Sequence, residues 1–124
     1  MIKKLSAGLA AAAMCGALAL AGTAFARGAD TGVTIHGPEG DFHGKVLSER
    51  AKCQEGRKVS VFKQKGRTQK PSVDQKIASD ISERSGNVGV WDVGNTGFKR
   101  GKFYAKAAHS RGCDVGFSKT IKIP

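Results

Sequence analysis

The chain has 124 residues, with 21 basic and 10 acidic side chains, a formal net charge of +11 and a pI near 10.0. This length excludes two domains of ordinary size. After the N-terminal segment, no apolar stretch is long enough to span a bilayer. The positive charge attracts polyanions non-specifically.

The N-terminus is typical of a secretory signal peptide. Lys3 and Lys4 precede an apolar run rich in Ala and Leu, which ends in the small-x-small sequence Ala24-Phe25-Ala26. We predict that residues 1–26 are a signal peptide cleaved after Ala26; cleavage after Ala24 and an uncleaved membrane anchor are the alternatives. Cleavage removes two lysines and no acidic residue, leaving one domain of 98 residues, 27–124, with a net charge of +9.

Seven short runs follow the leader, each bounded by Gly, Asn, Asp or Ser clusters that are typical of turns. In chain order they are GVTIH (32–36), DFHGKVL (41–47), RKVSVFKQ (57–64), QKIASD (75–80), VGVWDV (88–93), KFYAKAA (102–108) and FSKTIKI (117–123). No helical period competes with them. The pattern predicts an all-β fold, an antiparallel sandwich of about seven strands.

Period-two alternation predicts which side chains face the core. In 41–47, Phe42 and Val46 share the inner face. In 57–64, Val59 and Val61 point inward and Phe62 points outward.

Two runs do not fit a single register. VGVWDV carries apolar residues on both faces, which indicates either a central strand covered on both sides or a strand with a bulge. FSKTIKI places Phe117, Ile121 and Ile123 out of one register, so we expect a bulge or a bend within it.

Two cysteines follow the leader, Cys53 and Cys113. In an exported protein this number predicts one disulfide. Closing a loop of about 60 residues contributes roughly 4 kcal/mol in the chain-entropy model. Two free thiols or a zinc site are the alternatives, although no CxxC pair or nearby histidine completes a zinc site.

Several short motifs occur in an order that resembles a known type of domain. They are GDFHGKV, GRKVSVFKQKG, DQKIASD, GVW, GNTG and GKFYAKA, followed by a late cysteine. The sequence is similar to small exported actinobacterial domains of uncharacterised type, and more widely to transthyretin-like and carboxypeptidase regulatory-like sandwiches and to the B-type repeats of surface adhesins. The resemblance implies a transthyretin-like or immunoglobulin-like sandwich with a non-catalytic scaffold or adhesion role.

The stretch IHGPEGDFHGKV holds two histidines close to acidic residues. If Gly37 to Gly40 form a four-residue hairpin loop, His36 lies opposite Asp41, and His43 shares their outer face. Two imidazoles and a carboxylate on one face are ligands for Zn²⁺ or Cu²⁺. A solvated hairpin is the plainer interpretation, because nothing in the pattern buries the site.

The sequence offers little for catalysis. His109 and Ser110 are adjacent, with Asp114 as the nearest acid, but no Gly-x-Ser-x-Gly elbow or phosphate-binding loop accompanies them. We therefore expect no enzymatic activity and no cofactor.

The basic residues are the most distinctive exposed feature. They are concentrated in two predicted loops. The first contains Lys63, Lys65, Arg67 and Lys70 and includes the polar stretch KGRTQKPSVD (65–74); the second contains Lys99, Arg100 and Lys102. They predict a binding or adhesion module for anionic envelope or extracellular polymers, without a specific nucleic-acid partner, since aromatic stacking residues are few. The alternatives are a purely structural exported domain and a weak metal-binding protein at His36, Asp41 and His43. We expect Trp91 and Tyr104 in the core rather than on a carbohydrate platform.

Overall fold

The computed structural model describes residues 28–124 and confirms the predicted all-β fold. The predicted signal peptide, residues 1–26, and its cleavage site lie outside the described residues. The strands are β1 (Gly32–Val33), β2 (Asp41–Leu47), β3 (Lys58–Gln64), β4 (Gln75–Ile81), β5 (Glu83–Ser85), β6 (Val88–Asn95), β7 (Gly101–Ala107), β8 (Gly116–Phe117) and β9 (Ile121–Ile123). Short 3₁₀ turns at Pro38–Gly40 and Ala51–Cys53 connect some of them.

The strands form two antiparallel sheets. In the five-stranded sheet the order is β9-β7-β3-β4, and β8 also pairs with β7; in the four-stranded sheet the order is β1-β2-β6-β5. The chain crosses between the sheets at Ser82, which is 1% exposed. Its backbone amide donates to the carbonyl of Arg57 (2.8 Å) and its hydroxyl donates to the carbonyl of Gln54 (2.8 Å), so the crossing loses no hydrogen bond.

In residues 28–124, nine strands replace the expected seven for two local reasons. Glu83–Ser85 forms a strand in a stretch where none was expected, and the predicted run 117–123 divides into β8 and β9. The division occurs at Ser118, whose hydroxyl takes the place of a backbone acceptor for the amide of Ala105 (2.8 Å). The expected break in this run is therefore confirmed.

The core lies between the two sheets and follows the predicted alternation. Phe42, Val46, Val59 and Val61 are fully buried, as expected. The ring of Phe42, from the four-stranded sheet, lies 4.8 Å from that of Phe103, from the five-stranded sheet. At about 25 cal/mol per Å², such burial of apolar area is the main favourable term in folding.

Strand β6 takes the bulged alternative. Phe42 pairs with Gly94 and the next residue, His43, pairs with Asp92, so that Val93 is the extra residue. Trp91 points into the core and is 1% exposed, which confirms its expected place.

Phe62 points outward from the main core, as predicted, but it is not exposed to solvent. Its side chain lies on the outer face of the five-stranded sheet, but it is only 4% exposed. The ring stacks on Tyr104 with 5.3 Å between centroids, and Tyr104 is itself fully buried. The segment 65–74, predicted to be an exposed loop, is hydrogen-bonded to this outer face and gives it a second small buried layer.

The predicted disulfide between Cys53 and Cys113 is confirmed, with 5.6 Å between the Cα atoms. Cys53 ends a 3₁₀ turn and Cys113 lies just before β8, so the bond joins two connecting segments that are 60 residues apart in sequence. Both residues are buried.

Arg57 lies beside the disulfide and is fully buried. Its guanidinium donates five hydrogen bonds to uncharged oxygens: two to the carbonyl of Ala108 (3.2 and 2.8 Å), one each to the carbonyls of Cys53 (3.0 Å) and Asp114 (2.7 Å), and one to the hydroxyl of Thr31 (3.0 Å). Burial lowers the pKa of Arg57, and the charge of Asp114 opposes that effect. One side chain thus ties four separate segments together.

Candidate binding surface

The two basic loops predicted from the sequence lie side by side. The end of β3 is paired with the beginning of β7, where Gln64 lies opposite Lys102. The Nζ atom of Lys102 donates to the carbonyl of Gly66 (2.6 Å), directly linking the loops. From the other side, the Nζ of Lys63 lies 5.7 Å from the ring centroid of Phe98, within the range of a cation–π contact. Two clusters that are some 30 residues apart in sequence therefore form one surface.

The first basic loop is anchored by Asp74, which is only 8% exposed. Its carboxylate accepts hydrogen bonds from the backbone amides of Lys65 (3.0 Å) and Lys70 (2.8 Å) and from the hydroxyl of Tyr104 (2.6 Å). Burial acts to raise the pKa of Asp74, but these hydrogen bonds and the charge of Lys65 outweigh it and leave the pKa lowered. The backbone that carries the basic side chains is thus held in place by hydrogen bonds to Asp74.

Tyr104 contributes the buried end of this anchor. Burial raises the pKa of Tyr104, and the hydrogen bond to the Asp74 carboxylate raises it further. A second contact holds the middle of the loop. There the side-chain amide of Gln69 donates to the backbone carbonyl of Ser118 and to the hydroxyl of Thr120, both at 2.9 Å. The loop therefore spans from β3 to the β8–β9 connection.

The strands add further lysines to the same side of the molecule. In each antiparallel pair, residues directly opposite one another point to the same face. Three rows of side chains therefore share the outer face of the five-stranded sheet: Ser60 with Lys106, Phe62 with Tyr104 and Lys76, and Gln64 with Lys102 and Lys122. We define the basic face as this outer face with the two loops: Lys58, Lys65, Arg67, Lys70, Lys76, Lys99, Arg100, Lys102, Lys106 and Lys122. Lys63, which was predicted with the first loop, pairs with the core-facing Phe103 and therefore lies on the inner side of the sheet.

Charge is segregated between the two sheets. The strands of the five-stranded sheet contain six lysines and one acidic residue, Asp80. Asp80 pairs with the core-facing Val59, and its carboxylate accepts the backbone amide of Asp92 from the other sheet (2.9 Å). The strands of the four-stranded sheet contain three acidic and two basic residues. The positive charge is therefore concentrated on one side of the molecule.

Sequence reasoning found the loop lysines because they are adjacent in the chain, and it missed most of those on the strands. Lys63 and Lys102 were the exceptions, since they adjoin the loop residues in the chain. Lys76, Lys106 and Lys122 come from three different strands, and only their register brings them to one face. No local signal marks such a set.

The histidine hairpin differs from the prediction. His36 pairs with His43 through two backbone hydrogen bonds of 2.8 and 2.9 Å, rather than lying opposite Asp41. Asp41 pairs with Asn95 of β6, and the connection between His36 and His43 contains the 3₁₀ turn Pro38–Gly40. The connecting loop is consequently longer than four residues.

The two imidazoles are exposed and stacked, with ring centroids 5.6 Å apart. Nδ1 of His43 lies 3.3 Å from the backbone oxygen of Asp41, not from its carboxylate. Within residues 28–124, no three His, Cys, Asp or Glu side chains are arranged to hold a metal ion. His109 is exposed, and the backbone of its neighbour Ser110 pairs with Cys113 in a turn.

No family model, curated protein or solved structure matches the chain. Over residues 28–124, no helix has the length and apolar character needed to cross a membrane. The disulfide is the kind of bond that persists in oxidising compartments.

Proposed function

We propose that the protein is an exported, non-catalytic module that holds anionic polymers of the cell envelope or extracellular space on its basic face. The observation that supports this most is the segregation of charge, which concentrates lysines on the five-stranded sheet and its two loops. A cationic surface of this kind releases counterions from a polyelectrolyte when it binds, so affinity falls steeply with salt.

The geometry suits an extended polymer better than a small anion. Lys102 and Lys106 lie on one strand, about 13 Å apart at 3.3 Å per residue, and Lys122 lies opposite Lys102 on the neighbouring strand. The charges are spread over the sheet and do not converge on one point. Because Trp91 and Tyr104 are buried, neither offers a stacking platform for sugars or bases. Recognition is therefore electrostatic, and we expect heparin, teichoic-type polymers and DNA to compete.

The test is retention on a heparin column, with two variants that lose the same charge at different places. One variant changes Lys65, Arg67 and Lys70 to Ser, and the control changes Lys45, Lys52 and Arg111 to Ser; all six side chains are exposed. We expect the first variant to elute at clearly lower salt, and its slope of log affinity against log salt to fall by about two to three. The control should elute close to the wild type.

Equal elution of the two variants would show that only net charge matters and that the basic face is not the site. If the wild type is not retained near 0.1 M salt, where the Debye length is still about 10 Å, the charge has no binding role. A purely structural domain would then be the better account.

A further inference from the structure

An open groove runs along one side of the molecule, between the edges of the two sheets. At one end the edges meet, because Gly116 lies so close to Thr31 that a Cβ there would be 2.5 Å from the Thr31 carbonyl oxygen. Beyond this point they diverge. Two adjoining clefts of about 590 and 420 Å³ lie between residues 33–39 on one side and residues 119–124 on the other.

One wall of the groove is a strand edge with free backbone groups. Thr34 donates its amide to the carbonyl of Lys45 (3.0 Å), and His36 exchanges two hydrogen bonds with His43, so both residues face β2. Because backbone groups alternate along a strand, the N–H and C=O of Ile35 point away from β2 and into the groove. Within residues 28–124 these two groups have no hydrogen-bond partner.

The groove has an apolar floor and a cationic rim. Ile35 is 5% exposed, and Ile121 and Ile123 are half-buried against the core. The charged residues that line the two clefts are three lysines, Lys99, Lys119 and Lys122, and a single acid, Glu39. A ligand that complements this lining is apolar along one side and negatively charged along the other.

We propose that the groove binds an extended peptide segment of a partner protein, in which apolar and acidic residues alternate. The segment adds to the sheet as a strand, exchanging backbone hydrogen bonds with Ile35. Its period of two directs apolar side chains onto the isoleucines and acidic ones towards the lysines. A polysaccharide or polyphosphate has no ladder of backbone amides and carbonyls at strand spacing, so this site is distinct from the basic face in what it recognises.

The probe is a synthetic peptide with four Val-Glu repeats and blocked ends, titrated into the protein by calorimetry. We expect binding, together with slowed hydrogen exchange at the amide of Ile35. Two control peptides separate the contributions: one is N-methylated at alternate residues, which keeps the charge but removes strand pairing, and the other replaces Glu with Lys. Neither should bind measurably.

Two charge-matched variants locate the site. Lys119→Glu changes the groove, and Lys76→Glu makes the same charge change on the outer face of the five-stranded sheet; both lysines are exposed. We expect the groove variant to weaken peptide binding about tenfold or more and the sheet variant to leave it nearly unchanged. Equal weakening by both variants, equal binding of the N-methylated peptide, or no binding of the Val-Glu peptide would overturn the proposal. Heparin retention tests the basic face separately.

Discussion

Arg57→Lys keeps the buried charge but removes the planar fork of donors. Arginine makes five hydrogen bonds here, whereas an ammonium group has three donors, so at least two of these hydrogen bonds are lost. Hydrogen bonds to charged groups contribute about 1.5–3 kcal/mol each. We expect the free energy of unfolding to fall by about 3 kcal/mol, which is the lower end of the range for two lost hydrogen bonds. The lower end applies because Thr31 is only half-buried and can bond to water instead. For a domain of this size that corresponds to a Tm lowered by about 12 °C or more.

The assay is urea denaturation at neutral pH with the disulfide intact, analysed by linear extrapolation. Arg67→Lys is the matched control, since Arg67 is exposed and the change should stay within about 0.5 kcal/mol. A loss below about 1 kcal/mol for Arg57→Lys would refute the reasoning, because it would mean that the fork geometry contributes little beyond the charge.

Three further predictions follow from the disulfide, the loop anchor and the histidine pair. Replacing Cys53 and Cys113 by Ser should lower the free energy of unfolding by about 4 kcal/mol, from the 60-residue separation; free-thiol labelling of the native wild type at both positions would contradict the disulfide. Tyr104→Phe leaves the buried carboxylate of Asp74 without one donor and should cost about 1–2 kcal/mol. Because the pKa of Tyr104 is raised in the folded wild type, its contribution to stability is complete below pH 10.0 and is lost as the pH rises above that value. This fall in Tm at high pH should be absent from Tyr104→Phe. The lowered pKa of Asp74 makes its contribution present above pH 3.8 and lost as pH falls below it. Calorimetry should find no sub-micromolar Zn²⁺ binding, and such binding, if abolished by His36→Ala, would show that the two imidazoles recruit further ligands.

The sequence by itself determined the strand class, the inner faces and the covalent link. Alternation in Asp41–Leu47 placed Phe42 and Val46 in the core because the two-residue period of a strand is a local property. The disulfide followed from counting, since Cys53 and Cys113 are the only cysteines after the predicted leader. The basic loops were visible because their charges are neighbours in the chain.

Only the tertiary structure decided what covers each face and which residues lie opposite one another. Alternation correctly placed Phe62 away from the main core, but only the pairing of β3 with β7 brings its ring against Tyr104, where both side chains are buried. His36 lies opposite His43 rather than Asp41 because the connection between them, which contains the 3₁₀ turn Pro38–Gly40, is longer than a four-residue hairpin loop. Arg57 gave no signal of its own, since its four acceptor atoms come from four separate segments. Alternation specifies the side of a strand, whereas pairing and cover depend on long-range register, which no local pattern contains.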